Sequence, residues 1–457
     1  MKKVITYGTF DMFHYGHLNL LKRAKALGDY LIVGVTSENY DISRGKLNVK
    51  QNLMQRIENV KATGLADEII IEEYFGQKIH DIKKYDIDIF AIGSDWEKQF
   101  DYLKSFCDVI YLPRTQGVSS TEIRNSENSV LEIGIIGNGR IAKRFIKEAK
   151  YVSGINIDNV FGRNPDNLKI FCDDFNLKNY YTEYDKFLDN VKAVYIAVPH
   201  TMHYEYAKRA LEKGKHVLCE KPITLSGNQT KELYKIAQQN GVVLYEAIKT
   251  VYAPCFSKLV SIAQSGIIGK IRDVDATFTK IIKDKTLREY NPQLGGGSLT
   301  ELGSYPLSII TKLLGKNPIK TEYISTIDTD TGVDTMTKVI LIYKDAVATA
   351  NTGIATKKEG ECIISGTEGY IYIPAPWWKT EYFEIRFEDL NKTQKIFEKF
   401  NGDGLRYEIS EFLYSINSGK TNYKWTEEDS VFVSEVLENG IAAIKSHNSS
   451  TTCYKLV

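Results

Sequence analysis

Short apolar runs recur along the first part of the chain, VITYGTF, YLIVGVT, EIII, IDIFAIG and CDVIYL, separated by amphipathic stretches such as LNLLKRAKALG. Runs of strand length alternating with helix-period segments predict a parallel sheet crossed over by helices. The pattern stops in RNSENSV, residues 124–130, which is polar and without period, and it restarts at once in LEIGIIG. A domain boundary is expected there, giving a first domain over 1–126.

From Leu131 the alternation returns: LEIGIIG, the helix-like NGRIAKRFIKEAK, INIDNVFG, AVYIAV and KHVLCE. This second α/β unit is expected over 131–252. Beyond it the texture changes, because RDVDATFTKII, KTEYISTI, TKVILIYKD, AVATANTG, ECIISG and GYIYIP follow with few helical stretches between them. An α+β domain over 253–457 is expected, with a large, open, mostly antiparallel sheet closed by a helix near SVFVSEVLENGIAAIKS.

Composition narrows the class. A chain of 457 residues exceeds what one core sustains, about 250–300 residues. Lysine plus arginine, 59, nearly balances aspartate plus glutamate, 58, so no overall field favours nucleic acid or an anionic membrane. Six scattered cysteines without a CxxC pair or a leader segment point to reduced thiols in a cytoplasmic protein. No apolar run approaches the roughly 20 residues that span a bilayer.

Two stretches carry candidate chemistry in the first domain. GTFDMFHYGH (8–17) places His14 and His17 between an apolar strand and the helix LNLLKRAKA. A zinc pair would need further ligands nearby, and a solvated helix start is the bland alternative. The setting favours an anion, because glycine allows close backbone approach and helix N–H groups point at the loop. RTQGVSST (114–121), after the strand CDVIYLP, offers an arginine, a glycine and hydroxyls as a second phosphate cradle.

GTFDMFHYGH, KRAKALGD, IDIFAIGSDWEKQFDYLK and YLPRTQGVSST, in this order, resemble the HxGH nucleotidyltransferases with their Rossmann-like fold, and within them the glycerol-3-phosphate cytidylyltransferases. The resemblance implies attack of a substrate phosphate on the α-phosphorus of CTP. It makes His14 and His17 catalytic, assisted by Lys46 and Arg114. Thr9, Phe10, Asp11, Arg56, Asp95, Trp96, Arg114, Thr115, Ser119 and Ser120 would bind CTP, Asp11 also holding Mg2+; Arg56 matches after a one-residue shift. In TGLADEII this chain has Gly64 where those enzymes carry an arginine, so the acceptor is expected to differ from glycerol 3-phosphate.

The second unit opens with GNGRIA at 137–142, a GxGxxA turn between strand and helix that suits a dinucleotide. Gly137, Asn138, Gly139, Arg140 and Ile141 are the candidate contacts. The next strand ends FGRNPD, and Arg163 stands where an acid would read a ribose 2′-hydroxyl, which favours NADP(H) over NAD(H). VPHTMH, CEKP, LYEAIKTVYAPC, SGIIGKIRDV, GGGSLTELGSYPL and ISGTEGYIYIP resemble the Gfo/Idh/MocA oxidoreductases. That resemblance implies Lys221 beside the reacting carbonyl, Pro199, His203 and Glu220 at the cofactor, and Glu301 and Tyr305 at the substrate, where most members have aspartate and histidine. Tyr305 would donate the proton, with Lys221 lowering its pKa; His200 is expected to be only a loop residue.

Together the two resemblances imply a bifunctional enzyme: NADPH-dependent reduction of a keto-sugar phosphate to a polyol phosphate, then coupling to CTP to give a CDP-polyol for cell-surface polysaccharide. Two alternatives stay open, an oxidoreductase acting on a free or nucleotide-linked sugar and a non-catalytic dinucleotide-sensing regulator. A homodimer is expected.

Overall fold

The computed structural model describes residues 1–43, 49–74, 76–113, 130–419 and 424–449, without the side chains of 43, 95 and 447–449. It divides into two compact units, residues 1–131 with 150–156, and residues 132–149 with 157–457.

In the first unit, β1 (Lys3–Gly8), β2 (Tyr30–Thr36), β3 (Glu68–Glu72), β4 (Ile89–Gly93) and β5 (Asp108–Leu112) form one sheet in the order β3-β2-β1-β4-β5, and the pairs are parallel. Consecutive residues serve opposite faces. Val4, Leu31 and Val33 pack with Leu21 and Ala24 of the helix Tyr15–Lys25, whereas Ile5, Ile32 and Phe90 pack with Ile82 of the helix Gln77–Tyr85. Both faces being covered explains why these strands read as continuous apolar runs. The order reverses between β1 and β4, so the loop after β1 opens at the crevice where such sheets bind ligands.

The second unit begins on β6 (Leu131–Ile136), β7 (Ile155–Phe161), β8 (Asn179–Tyr181), β9 (Ala193–Ile196), β10 (His216–Glu220) and β11 (Leu244–Ala247), in the order β11-β10-β9-β6-β7-β8. Its reversal lies between β6 and β9, where the glycine turn leaves β6. An eight-stranded sheet follows: β12 (Ile271–Thr279), β13 (Lys320–Ile327), β14 (Asp334–Ile342), β15 (Val347–Gly353), β16 (Cys362–Gly366), β17 (Tyr370–Ile373), β18 (Tyr382–Arg386) and β19 (Gln394–Phe397), in the order β13-β14-β15-β12-β16-β17-β18-β19. Only β12–β15 is parallel, the mostly antiparallel sheet the alternation predicts. On β14, Val339 and Leu341 are fully buried while Lys338 is exposed and Ile340 half-buried, so one face carries the core. The closing helix is Glu427–Ser449. No helix among the described residues is long and apolar enough to cross a membrane.

Candidate active sites

The loop after β1 turns sharply: Phe10 (φ 53°) and Met12 (φ 49°) both hold left-handed backbone, which side chains of this size rarely adopt. Tertiary contacts force it. Phe10 is fully buried, and the Met12 N–H donates to Gln51 Oε1 at 2.9 Å. His14 caps the helix Tyr15–Lys25, its Nδ1 accepting from the Gly16 N–H at 3.0 Å. With Nδ1 an acceptor, the proton of the neutral ring sits on Nε2. The His14 and His17 rings stack at 3.8 Å between centroids, and Phe10 meets His17 edge-on at 5.4 Å. Two imidazoles thus stand together at a helix N-terminus, where the backbone also favours negative charge.

Arg56 corrects an expectation. Rather than facing a nucleotide, it is fully buried and donates to the carbonyls of Thr9 (2.8 Å), Thr36 (2.8 Å) and Gln51 (3.1 Å), with Asp41 Oδ2 at 3.4 Å. Asp41 also accepts from Thr9 Oγ1 (3.1 Å) and Thr36 Oγ1 (2.8 Å). This buried pair ties the ends of β1 and β2 to the helix Leu53–Lys61 and fixes the loop from beneath. Asp11, expected to hold Mg2+, uses its carboxylate to accept the N–H groups of Lys50 and Gln51 at 2.9–3.1 Å. The described residues offer no group of three or more His, Cys, Asp or Glu that could hold a metal by themselves. Trp96 packs on Phe100. Lys46, Arg114, Thr115, Ser119 and Ser120 lie outside the described residues, as does the side chain of Asp95; Arg23 donates to the carbonyl of Pro113, just before that loop. Gly64 has φ 65°, and a Cβ at this position would meet nothing within 4 Å, so the turn, rather than crowding, selects glycine.

In the second unit, Gly137 (φ 98°) lies so close to Ala197 O that a Cβ would approach it to 2.4 Å, whereas a Cβ on Gly139 would meet nothing within 4 Å. The helix Arg140–Ala149 follows directly. A tight turn, open space and a helix start fit a dinucleotide's pyrophosphate. Asn138 and Ile141 flank this turn, and Arg140 reaches toward Glu289 at 3.8 Å. Arg163 is exposed and has no carboxylate partner among the described residues. Pro199 precedes the short turn His200–Met202.

Lys221 follows β10, and its Nζ donates to the carbonyl of Glu301 at 2.7 Å while lying over the Tyr305 ring, 5.7 Å from its centroid. The structure thus brings Lys221, Glu301 and Tyr305 together, but it reverses one expectation. The Tyr305 phenol is pushed well above its ordinary pKa, first by burial and then by the carboxylate of Glu220; Lys221 meets the ring instead of acidifying the hydroxyl. Two further expectations shift inward. Glu220 turns its carboxylate to the Tyr195 hydroxyl, 2.6 Å away. His203 is fully buried, its nitrogens 2.8 Å from Pro222 O and 2.9 Å from Val198 O, and burial pushes its pKa down to about 4. Both residues brace the turns that carry the site.

Sequence reading missed Arg288 and undervalued His200. Arg288 pairs with both Glu301 oxygens, at 3.0 and 2.6 Å. His200 Nε2 lies 3.5 Å from Glu301 Oε1 and its Nδ1 3.2 Å from Gly295 O. Arg288 lies in none of the motifs quoted above, and although His200 stands within VPHTMH, its contact with Glu301 far along the chain is not recorded there.

Residues 5–126 match the cytidylyltransferase-like family, 131–248 the oxidoreductase family with an NAD-binding Rossmann fold, and 256–372 the GFO/IDH/MocA C-terminal domain. The fold and sites thus define two enzymes fused in one polypeptide. The chain belongs to the cytidylyltransferase-like family in its first domain and to the GFO/IDH/MocA oxidoreductase family in the remainder. It is 51% identical over 130 residues to the glycerol-3-phosphate cytidylyltransferase of Bacillus spizizenii, covering 28% of this chain and 100% of that protein. It is 28% identical over 320 residues to the scyllo-inositol 2-dehydrogenase (NADP(+)) IolU of Bacillus subtilis, covering 68% of this chain and 95% of that protein. Among solved structures, KijD10, a 3-ketoreductase from Actinomadura kijaniata in complex with NADP and TDP-benzene, superposes with a TM-score of 0.61 at 25% identity, covering 67% of this chain and 96% of that one.

Proposed function

We propose that this enzyme makes a CDP-polyol in two steps, reducing a keto-sugar phosphate with NADPH and then joining the resulting polyol phosphate to CTP. The observation that carries the reading is that each half holds an assembled site, the stacked His14 and His17 at a helix start and Lys221 against Glu301 and Tyr305. The turn at Gly137 and Gly139 would hold a nicotinamide cofactor, which when bound would supply the hydride for carbonyl reduction. Tyr305, kept protonated by its surroundings, gives its proton to the carbonyl oxygen, and the Lys221 ammonium stabilises the charge that develops there. Arg163, exposed and without a carboxylate partner among the described residues, suits the 2′-phosphate of NADP(H).

In the first domain, a phosphate oxygen of the acceptor attacks the α-phosphorus of CTP and pyrophosphate leaves. His14, with its proton on Nε2, and His17 hold the triphosphate and offset the charge on the departing group. Lys46, Arg114, Thr115, Ser119 and Ser120 would complete the anion cradle, and a magnesium ion bound with the nucleotide would offset phosphate charge. Glycine at position 64 leaves the acceptor phosphate without a cation there, which favours a polyol phosphate other than glycerol 3-phosphate. The product would feed a cell-surface polymer, and the enzyme would work in the cytoplasm as a homodimer.

The test supplies a mixture of ketose phosphates, NADPH, CTP and magnesium to the purified protein and identifies products by mass spectrometry. A CDP-polyol whose formation requires NADPH is expected. CDP-glycerol formed from glycerol 3-phosphate, with no ketose phosphate reduced, would refute the two-step reading.

A further inference from the structure

The helix Leu405–Ser418 brings a carboxyl group into the interior of the oxidoreductase unit that neither family motif accounts for. Glu408 is 1% exposed, and both of its side-chain oxygens are buried without a hydrogen-bond partner among the described residues. Its helix is firmly placed: Arg406, two residues earlier, makes a bidentate pair with Glu148 at 2.9 and 2.7 Å. The charged groups that act on Glu408 are Glu220 from β10, Lys249 at the start of the helix Lys249–Tyr252, and Glu148 from the helix Arg140–Ala149. Glu408 and Glu220 are also the two carboxylates that act most strongly on the Tyr305 hydroxyl.

An ionised carboxylate stripped of water and given no hydrogen bond is costly by several kcal/mol. Two neighbouring carboxyl groups relieve that cost by sharing one negative charge. Glu220 has the better claim to it, because it accepts from the Tyr195 hydroxyl at 2.6 Å and adjoins Lys221. Burial and then Glu220 hold Glu408 well above the usual carboxylate range, only partly opposed by Lys249.

We propose that Glu408 is a positioning residue of the reductase site, present as a neutral acid beside ionised Glu220, whose missing charge leaves Tyr305 able to release its proton. This rests on the assignment of Tyr305 as proton donor. When the phenol gives its proton to the carbonyl oxygen, the phenolate forms against the charge of Glu220, with the Lys221 ammonium over its ring, and a proton from solvent restores it. Were Glu408 ionised, a second uncompensated charge would oppose the phenolate and turnover would fall. Glu408 therefore sets the alkaline limit of reduction.

The experiment compares the full-length protein with Glu408→Gln. The amide keeps the neutral state at every pH, so the alkaline limb of kcat for NADPH-dependent reduction should move up by at least one pH unit, with KM for the keto substrate and CTP turnover unchanged. Stability provides a readout independent of activity. Below the ordinary carboxylate pKa, folded and unfolded states are both protonated. Above it the unfolded chain releases the proton that the folded protein retains, so stability falls with rising pH until the folded pKa is passed. In that window the wild-type unfolding constant should rise up to tenfold more per pH unit than that of the variant, as one proton requires.

Superimposable pH profiles of kcat would overturn the proposal even if the stability difference appeared, since the carboxyl would then be only a buried structural group. Glu408→Met serves as the second variant and should fold, because an apolar chain of similar length replaces a neutral one. Failure of both variants to fold would reveal an ionised, compensated Glu408 and overturn the proposal. If the wild-type protein reduces no keto compound in a broad panel, the functional reading fails on its own and takes the catalytic role of Glu408 with it, while the stability comparison still decides its protonation.

Discussion

The two sites hold their reacting groups by different physical means. In the cytidylyltransferase domain the backbone is strained: Phe10 and Met12 occupy left-handed conformations clamped by the Arg56–Asp41 pair beneath. In the oxidoreductase unit the turns at the site use glycines for such conformations, Gly137, Gly295 and Gly297, and the unfavourable terms lie in buried ionisable groups, Glu220, Glu408 and Tyr305. A phosphate site at a helix start needs N–H groups and imidazoles aimed at one point, which backbone geometry supplies. A proton-transfer site needs groups held in chosen protonation states, which burial supplies.

Separate devices imply separable failures, and the sharpest attempt to break the comparison exchanges one residue in each site. His17→Ala should lower CTP turnover by about 10²–10³-fold, and Lys221→Met should lower NADPH oxidation by a similar factor, the range typical of losing one electrostatic stabiliser. Each should leave the other activity unchanged. If Lys221→Met abolished CTP turnover in the presence of polyol phosphate, the sites would not be independent.

A smaller but more diagnostic effect is expected at the clamp. Arg56→Met leaves Asp41 buried without its cation and should destabilise the first domain by about 3–5 kcal/mol, whereas adding Asp41→Asn should recover much of the loss. Chemical denaturation followed by loss of CTP turnover measures both. Equal stability of the single and double variants would show that the pair does not fix the loop.

On the oxidoreductase side, Arg163→Asp should shift preference from NADPH toward NADH by about tenfold or more, since a charge-assisted hydrogen bond of about 1.5–3 kcal/mol is exchanged for repulsion. Comparing kcat/KM for the two cofactors decides it. An unchanged ratio would mean that Arg163 does not meet the 2′-phosphate.

The smallest expected change is at Met12. Glycine removes a left-handed penalty of roughly 1–2 kcal/mol but adds chain entropy, so thermal stability should move by less than about 1 kcal/mol. CTP turnover should nevertheless fall, because the loop is less firmly held. A Met12→Gly protein with full CTP turnover would show that the strained backbone is incidental to the site.

The elements of the fold and the cores of both sites are legible in the sequence because their signals are local. Strand runs, GTFDMFHYGH before a helix, GNGRIA after a strand and CEKP at a strand end each declare themselves within about ten residues. Arg56 misleads for the converse reason: its position in a motif says nothing about whether its guanidinium faces a ligand or the carbonyls of Thr9 and Thr36. Tyr305 can be located from its motif but its protonation cannot, since that depends on Glu220 and Glu408 arriving from a strand end and a helix elsewhere in the chain.

Short-range periodicity, and residues suited to particular backbone conformations, are enough to select which segments become strands and helices and where the turns between them begin. Folding in three dimensions was needed to bring Arg288 and His200 onto Glu301, to set Arg56 beneath the loop it supports, and to bury Glu408 without a hydrogen-bond partner among the described residues. Burial and the electrostatic field at a site are sums over neighbours distant in the chain, and no local pattern records them.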